Sequence, residues 1–260
     1  MPTTLALTAP SANRRWVVCA LLFFATTVNY MDRQLLSLLK PILDQELQWT
    51  NAQFGLVNSV FQGAYAASYL AFGWFVDRYG TRIGYAVSIA AWSLAAASHA
   101  LVNSVSGFAL ARIALGSGEG GNFPAAIKAV SEWFPKKERA LATTIFNSGA
   151  NVGALAAPLI VPPLAYSIGW HGTFIVAGAA GLVWLVFWLR LYEIPARCQR
   201  LGAAERAYIE SDDEPSGQTE KPLAWKMIIG LRQTWAYLFA RILTDPVWWF
   251  FLIWLPDYFK

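Results

Sequence analysis

With 260 residues, 56% of them hydrophobic and 14% charged, against about 25% charged in soluble domains, the chain has the composition of a membrane protein. Its net charge of +4 is too small to bring in nucleic acid as a partner, and its two cysteines, Cys19 and Cys198, imply no disulfide framework. The 13 Trp, 19 Gly and 13 Pro agree, because aromatic side chains mark bilayer interfaces and spanning helices accept Gly and Pro better than soluble ones.

A span needs about 20 apolar residues to cross a hydrocarbon core of about 30 Å. In chain order such windows fall at 16–38, 53–76, 83–102, 106–128, 141–166, 171–191 and 236–259. Arg14 and Arg15 imitate the start of a secretory signal. The apolar run continues through Asn29 to Leu39 without a small-residue cleavage site, so it reads as an uncleaved first helix. With the N-terminus in the cytoplasm, fifteen of the 20 Lys and Arg residues fall in inside segments and two, Lys40 and Lys260, outside. That asymmetry favours a cytoplasmic N-terminus.

Residues 1–191 therefore read as an all-α, six-helix N-terminal transmembrane bundle. Residues 192–235, which include the turn-rich run Ser211 to Gly217, read as a cytoplasmic loop, and 236–260 as a seventh helix. A six-helix block followed by a long cytoplasmic loop is how one half of a transporter built from two six-helix repeats looks. The expectation is a fragment of a twelve-helix protein, with the C-terminal six-helix half missing.

The polar residues inside the windows carry the chemistry. Asp32 and Arg33 end the first window, and Arg112 and Glu119 sit in the fourth. Each costs roughly 2.5 to 3.5 kcal/mol at mid-bilayer, so the four must face one another, an ion or water, and such residues mark transport pathways. The expectation is one wet, substrate-sized hollow between helices one and four. Arg112 and Glu119 lie two turns apart on one face; a pair that only locks two helices fits the same spacing and adds little stability. Gly116, Gly118, Gly120 and Gly121 would let a neighbouring helix come close.

On helix two, Asn58, Gln62, Tyr65 and Tyr69 form a polar stripe at helical spacing. On helix five, Asn147 and Asn151 are one turn apart and serve either a cavity or an interhelical hydrogen bond. Trp248, Trp249 and Trp254 suit stacking on a sugar ring or anchoring at the interface. His99 and His171 read as surface or capping residues. The segment GSGEGG follows no strand, so it is no phosphate cradle. No Cys/His cluster has metal spacing and no nucleophile elbow occurs, so neither an enzyme, a metal nor a cofactor is expected.

The loop GWFVDRYGTR, with Gly73, Asp77, Arg78, Gly80 and Arg82, resembles the gating signature of the major facilitator superfamily, departing from it at Thr81, where a base is expected. The strings NYMDRQ from Asn29, ARIALGSGEGGNFPAA from Ala111, FNSGANVGALAAP from Phe146 and LTDPVWWFFLIWLPDYF from Leu243 resemble its anion:cation symporter branch, in particular the hexuronate (glucuronate and galacturonate) transporters. That resemblance implies substrate-contacting roles for Tyr30, Arg33, Tyr65 and Arg112, and proton coupling by Asp32 and Glu119.

It also implies proton-coupled symport of a sugar-acid anion across a bacterial inner membrane, with the anion, the proton and the lipid bilayer as partners. An aldonate, dicarboxylate or sulfonate symporter, or a non-transporting anion sensor, is the alternative. The residues themselves suit the first reading. A hexuronate carries a carboxylate and several hydroxyls, which need a guanidinium fork and amide or phenol groups. Arg33, Arg112, Gln62, Tyr65, Asn147 and Asn151 supply them. In the expected cycle Glu119 or Asp32 neutralises an arginine until the substrate carboxylate takes it over, and the displaced, desolvated acid binds a proton.

Overall fold

The computed structural model describes residues 14–212 and 225–258. The first compact unit runs to Asp212 and holds α1 (Arg14–Leu47), α2 (Asn51–Tyr79), α3 (Thr81–Ser98), α4 (Val105–Glu119), α5 (Asn122–Trp133), α6 (Lys136–Leu191) and the short α7 (Ala203–Ile209). The second begins at Asp213 and contains α8 (Trp225–Gly230) and α9 (Arg232–Tyr258). No strand occurs among the described residues. Stretches within Lys136–Leu191 and Arg232–Leu255, with mean hydropathies of 2.0 and 1.4, are long and apolar enough to cross a membrane.

Two backbone positions explain how apolar windows become helices. Gly80 alone separates α2 from α3, with φ +85°, a conformation that only a residue without Cβ adopts cheaply. Gly169, at φ +74°, turns the 56-residue α6 into two limbs, which correspond to the fifth and sixth windows. The fourth window is also divided, since α4 ends at Glu119 and α5 begins at Asn122.

Close helix approach follows from the small residues. A Cβ on Gly116 would lie 2.5 Å from the Phe61 carbonyl oxygen of α2, and one on Gly118 the same 2.5 Å from the Trp92 amide nitrogen of α3. Glycines two apart thus serve two different neighbours, which is how α4 packs between α2 and α3.

The stretch from Tyr192 to Asp212 belongs to the first unit. Tyr192 stacks on Trp188 with ring centres 3.9 Å apart, and Cys198, Leu201 and Ile209 are buried in the same core as Val18 and Trp133. Cys198 is therefore a buried thiol within the connection that leads to α7. Glu205 on α7 is fully buried and accepts from the Arg15 backbone N–H (3.2 Å) and guanidinium (3.3 Å), so it caps the start of α1. Arg15 also meets Glu138 at 3.0 Å, and the Tyr208 hydroxyl donates to the same carboxylate at 2.9 Å. Of the turn-rich run, the residues after Asp212 lie outside the described residues.

Two side chains depart from expectation. His99 is no surface residue; it is buried against Phe174, ring centres 4.9 Å apart, and also caps the end of α3. Lys40, expected in an outer loop, is buried within α1, 2.8 Å from Asp44.

Candidate functional site

α1 buries Asn29, Asp32 and Arg33, and α4 buries Arg112 and Glu119. Asn29 and Arg33 are one turn apart and so share a face of α1, while Arg112 and Glu119 share a face of α4. Glu119 is the last residue of α4, at the negative end of the helix dipole, where a carboxylate needs a cation. Arg33 supplies it, with Nε 2.7 Å from Glu119 Oε2.

The Arg33 guanidinium is framed by aromatic rings, 4.3 Å from the centre of Tyr65, 4.9 Å from Tyr30 and 5.6 Å from Phe61. Arg112 lies 5.5 Å from the Phe61 ring, so both cations adjoin one ring. Arg112 is 1% exposed, yet its Nε and Nη2 have no hydrogen-bond partner, nor does Glu119 Oε1. Buried donors on a charged group are rarely left unmade, because each costs on the order of 1–3 kcal/mol or more. A planar fork with open donors is suited to an incoming carboxylate.

Asp32, next to Arg33 in sequence, faces elsewhere. It lines a cavity of about 90 Å³ between α1 and the two limbs of α6, with Met31, Leu35, Val161 and Thr173 among its neighbours. That volume, walled almost wholly by apolar side chains, is too small for a sugar acid, and it is not the hollow expected between helices one and four. Asp32 remains within electrostatic reach of Glu119 and Arg112.

The structure thus brings Tyr30, Arg33, Tyr65, Arg112 and Glu119 together, with Asp32 behind them. The stripe on α2 divides: Asn58 donates to the Phe54 carbonyl of its own helix at 3.0 Å, Gln62 is half-buried and Tyr69 is exposed. Asn147 is half-buried and Asn151 exposed. Both point roughly opposite to Gly149 and Gly153, the α6 residues that meet α1 at Phe23 and Thr27. Sequence reasoning missed Asn29, fully buried beside Glu119, and Phe61. Each lies one turn before a residue it did select, Arg33 and Tyr65, which is the signal that points to them.

At the other end of α2, Asp77 pairs with Lys128 of α5 at 2.9 Å, and Lys128 also donates to the Val76 carbonyl. Arg82 donates to the Leu189 carbonyl of α6 at 2.6 Å, while Arg78 is exposed. A Cβ on Gly73 would meet nothing within 4 Å.

Residues 22–260 match the profile of the Major Facilitator Superfamily. The chain belongs to that superfamily. It is 34% identical over 245 residues to the galacturonate transporter of Dickeya chrysanthemi, covering 93% of this chain and 71% of that one. Over 244 residues it is 34% identical to the hexuronate transporter of Escherichia coli (strain K12), covering 93% of this chain and 56% of the relative. The D-galactonate transporter of Escherichia coli O6:H1 is 30% identical over 261 residues, 96% of this chain and 60% of its own length. The chain thus spans little more than half of these last two.

All three relatives are transporters rather than enzymes, and superfamily membership makes this a membrane protein. The crystal structure of a bacterial homologue of the lysosomal transporter Spinster, inward-facing and unoccupied, superposes with a TM-score of 0.74 at 21% identity, over 95% of this chain and 56% of that one. It has the same fold.

Proposed function

We propose that this chain carries anion-binding residues of a secondary transporter that moves a hexuronate-like sugar-acid anion together with a proton across a bacterial inner membrane, its N-terminus in the cytoplasm. The observation that carries this reading is Arg112, buried with open donors beside the Arg33–Glu119 pair. A buried guanidinium without an anion is costly, and a carboxylate substrate supplies that anion bidentately. The galacturonate and hexuronate transporters among the relatives support the substrate class.

The substrate carboxylate enters beside Arg112 and draws Arg33 away from Glu119. Glu119, buried and without its cation, then binds a proton, so substrate and proton bind cooperatively. Tyr30, Tyr65 and Phe61 offer flat surfaces to the apolar face of a sugar ring, and Asp32 at its small cavity is a second place for a proton. When the anion leaves on the other side, Arg33 returns to Glu119 and the proton is released.

Glu119→Gln in proteoliposomes separates binding from coupling. The variant is expected to exchange labelled galacturonate across the bilayer but not to accumulate it when an inward proton gradient is imposed. Uphill uptake at the rate of the unaltered protein would remove Glu119 from the coupling role. Galactonate and a dicarboxylate in parallel assays define the substrate; faster uptake of either than of galacturonate would reassign it.

A further inference from the structure

Where α3 begins and α6 ends, two hollows lie side by side, sharing Arg82 and Glu193 in their walls. The smaller, about 320 Å³, is lined by Arg14, Arg82, Arg190 and Arg200, with Glu193 the single acid in its wall. These arginines come from four separate places: the first residue of α1, the first turn of α3, the last turn of α6 and the turn before α7. Four arginines against one carboxylate leave the wall of the hollow net positive, which attracts an anion.

The larger hollow is a groove of about 1020 Å³ between α3 and α6. Its apolar wall is built from Ile83, Val87 and Ala90 on α3 and Leu185 and Leu189 on α6. These residues recur at intervals of three or four, so the groove runs along the two helices for about 10 Å. Ile83 is 55% exposed, and Val87 and Leu189 are each 43% exposed. Arg82, pinned to the Leu189 carbonyl, stands at the junction of the hollows. A basic hollow that opens into an apolar groove has the shape and charge of an amphiphile with an anionic head. Basic pockets between spanning helices at the cytoplasmic interface bind phospholipid headgroups in this way.

We infer that the paired hollows are a binding site for an anionic phospholipid. Its phosphodiester headgroup sits among Arg14, Arg82, Arg190 and Arg200, and an acyl chain lies against Ile83, Val87 and Leu189. The inference rests on the reading of the chain as membrane-spanning, with this end at headgroup depth. It is separate from the anion site of α1 and α4, since none of the residues there lines either hollow. The charge complementarity favours lipid over a protein partner, which would have to bring both acids and an apolar ridge to the same place.

The test is native mass spectrometry of the protein in neutral detergent, titrated with phosphatidylglycerol or phosphatidylcholine. The expected result is retention of phosphatidylglycerol at several-fold lower lipid concentration than phosphatidylcholine, undiminished by excess inorganic phosphate. Arg190→Gln combined with Arg200→Gln is expected to weaken phosphatidylglycerol binding roughly 30-fold, and Arg14→Gln alone roughly 5-fold. Circular dichroism checks that each variant is folded, and the single variant decides the matter if the double one is not.

Equal retention of the two lipids, unchanged binding in the folded variants, or full displacement by inorganic phosphate would each overturn the lipid site. Lost anion uptake with intact lipid selectivity would count against the transport reading alone. Lost selectivity with intact uptake would count against the lipid site alone.

Discussion

Arg33, Glu119 and Arg112 show how much a single side chain decides. That all three are buried was legible in the sequence, since charges inside apolar windows have nowhere else to go. Which arginine holds Glu119 was not. The two residues of the ion pair are 86 apart in the chain, and helical spacing relates only residues on the same helix.

Two outcomes follow at this scale. Arg33→Ala removes the ion-pair partner of the buried Glu119 and should destabilise the protein by about 3–5 kcal/mol, read as the shift in detergent thermal unfolding. Arg33→Ala combined with Glu119→Ala should recover a large part of that loss, and strict additivity of the two variants would deny the coupling. Arg112→Lys keeps the charge but removes the fork. It should weaken galacturonate binding by tenfold or more in titration calorimetry, and unchanged affinity would mean that Arg112 does not engage the carboxylate.

At the scale of elements, helix packing here depends on where a side chain is absent. Gly118→Ala brings a Cβ against the α3 backbone, and overpacking of this kind costs about 1–3 kcal/mol. Gly73→Ala, with open space around it, should leave unfolding unchanged or slightly improved. Equal unfolding temperatures for the two variants would mean that α4 does not depend on that close approach. The glycine string was visible in the sequence; the division of labour between α2 and α3 required the helix axes.

The helix windows were similarly half legible. Apolar composition located them, but the turn inside α6 is set by φ at Gly169, as the one between α2 and α3 is by φ at Gly80. Composition does not report such angles. α7 escaped notice altogether, because seven residues carry too little periodicity to stand out from a charged loop. Its docking through Glu205 on Arg15, Tyr208 on Glu138 and the buried Ile209 makes it an element.

For the whole molecule, the bias of Lys and Arg toward one set of connections predicts sidedness. Ser104, between α3 and α4, and Ser211, after α7, are both exposed and lie on connections expected on opposite sides. A membrane-impermeant maleimide should label Ser104→Cys on intact cells, and Ser211→Cys only after the cytoplasmic face is opened. The reverse pattern would invert the orientation. Both native thiols are buried and should stay silent in this assay.

From the sequence alone came the helical class, the superfamily motifs and the four buried charges of α1 and α4 that flank the candidate site, because hydropathy and local spacing are properties of neighbouring residues. Tertiary structure alone decided that Glu119 belongs to Arg33, that Asp32 opens into a separate small cavity, and that four distant arginines converge beside an apolar groove. Those facts depend on the rotation and tilt of each helix against its neighbours, which packing of side chains far apart in the chain sets.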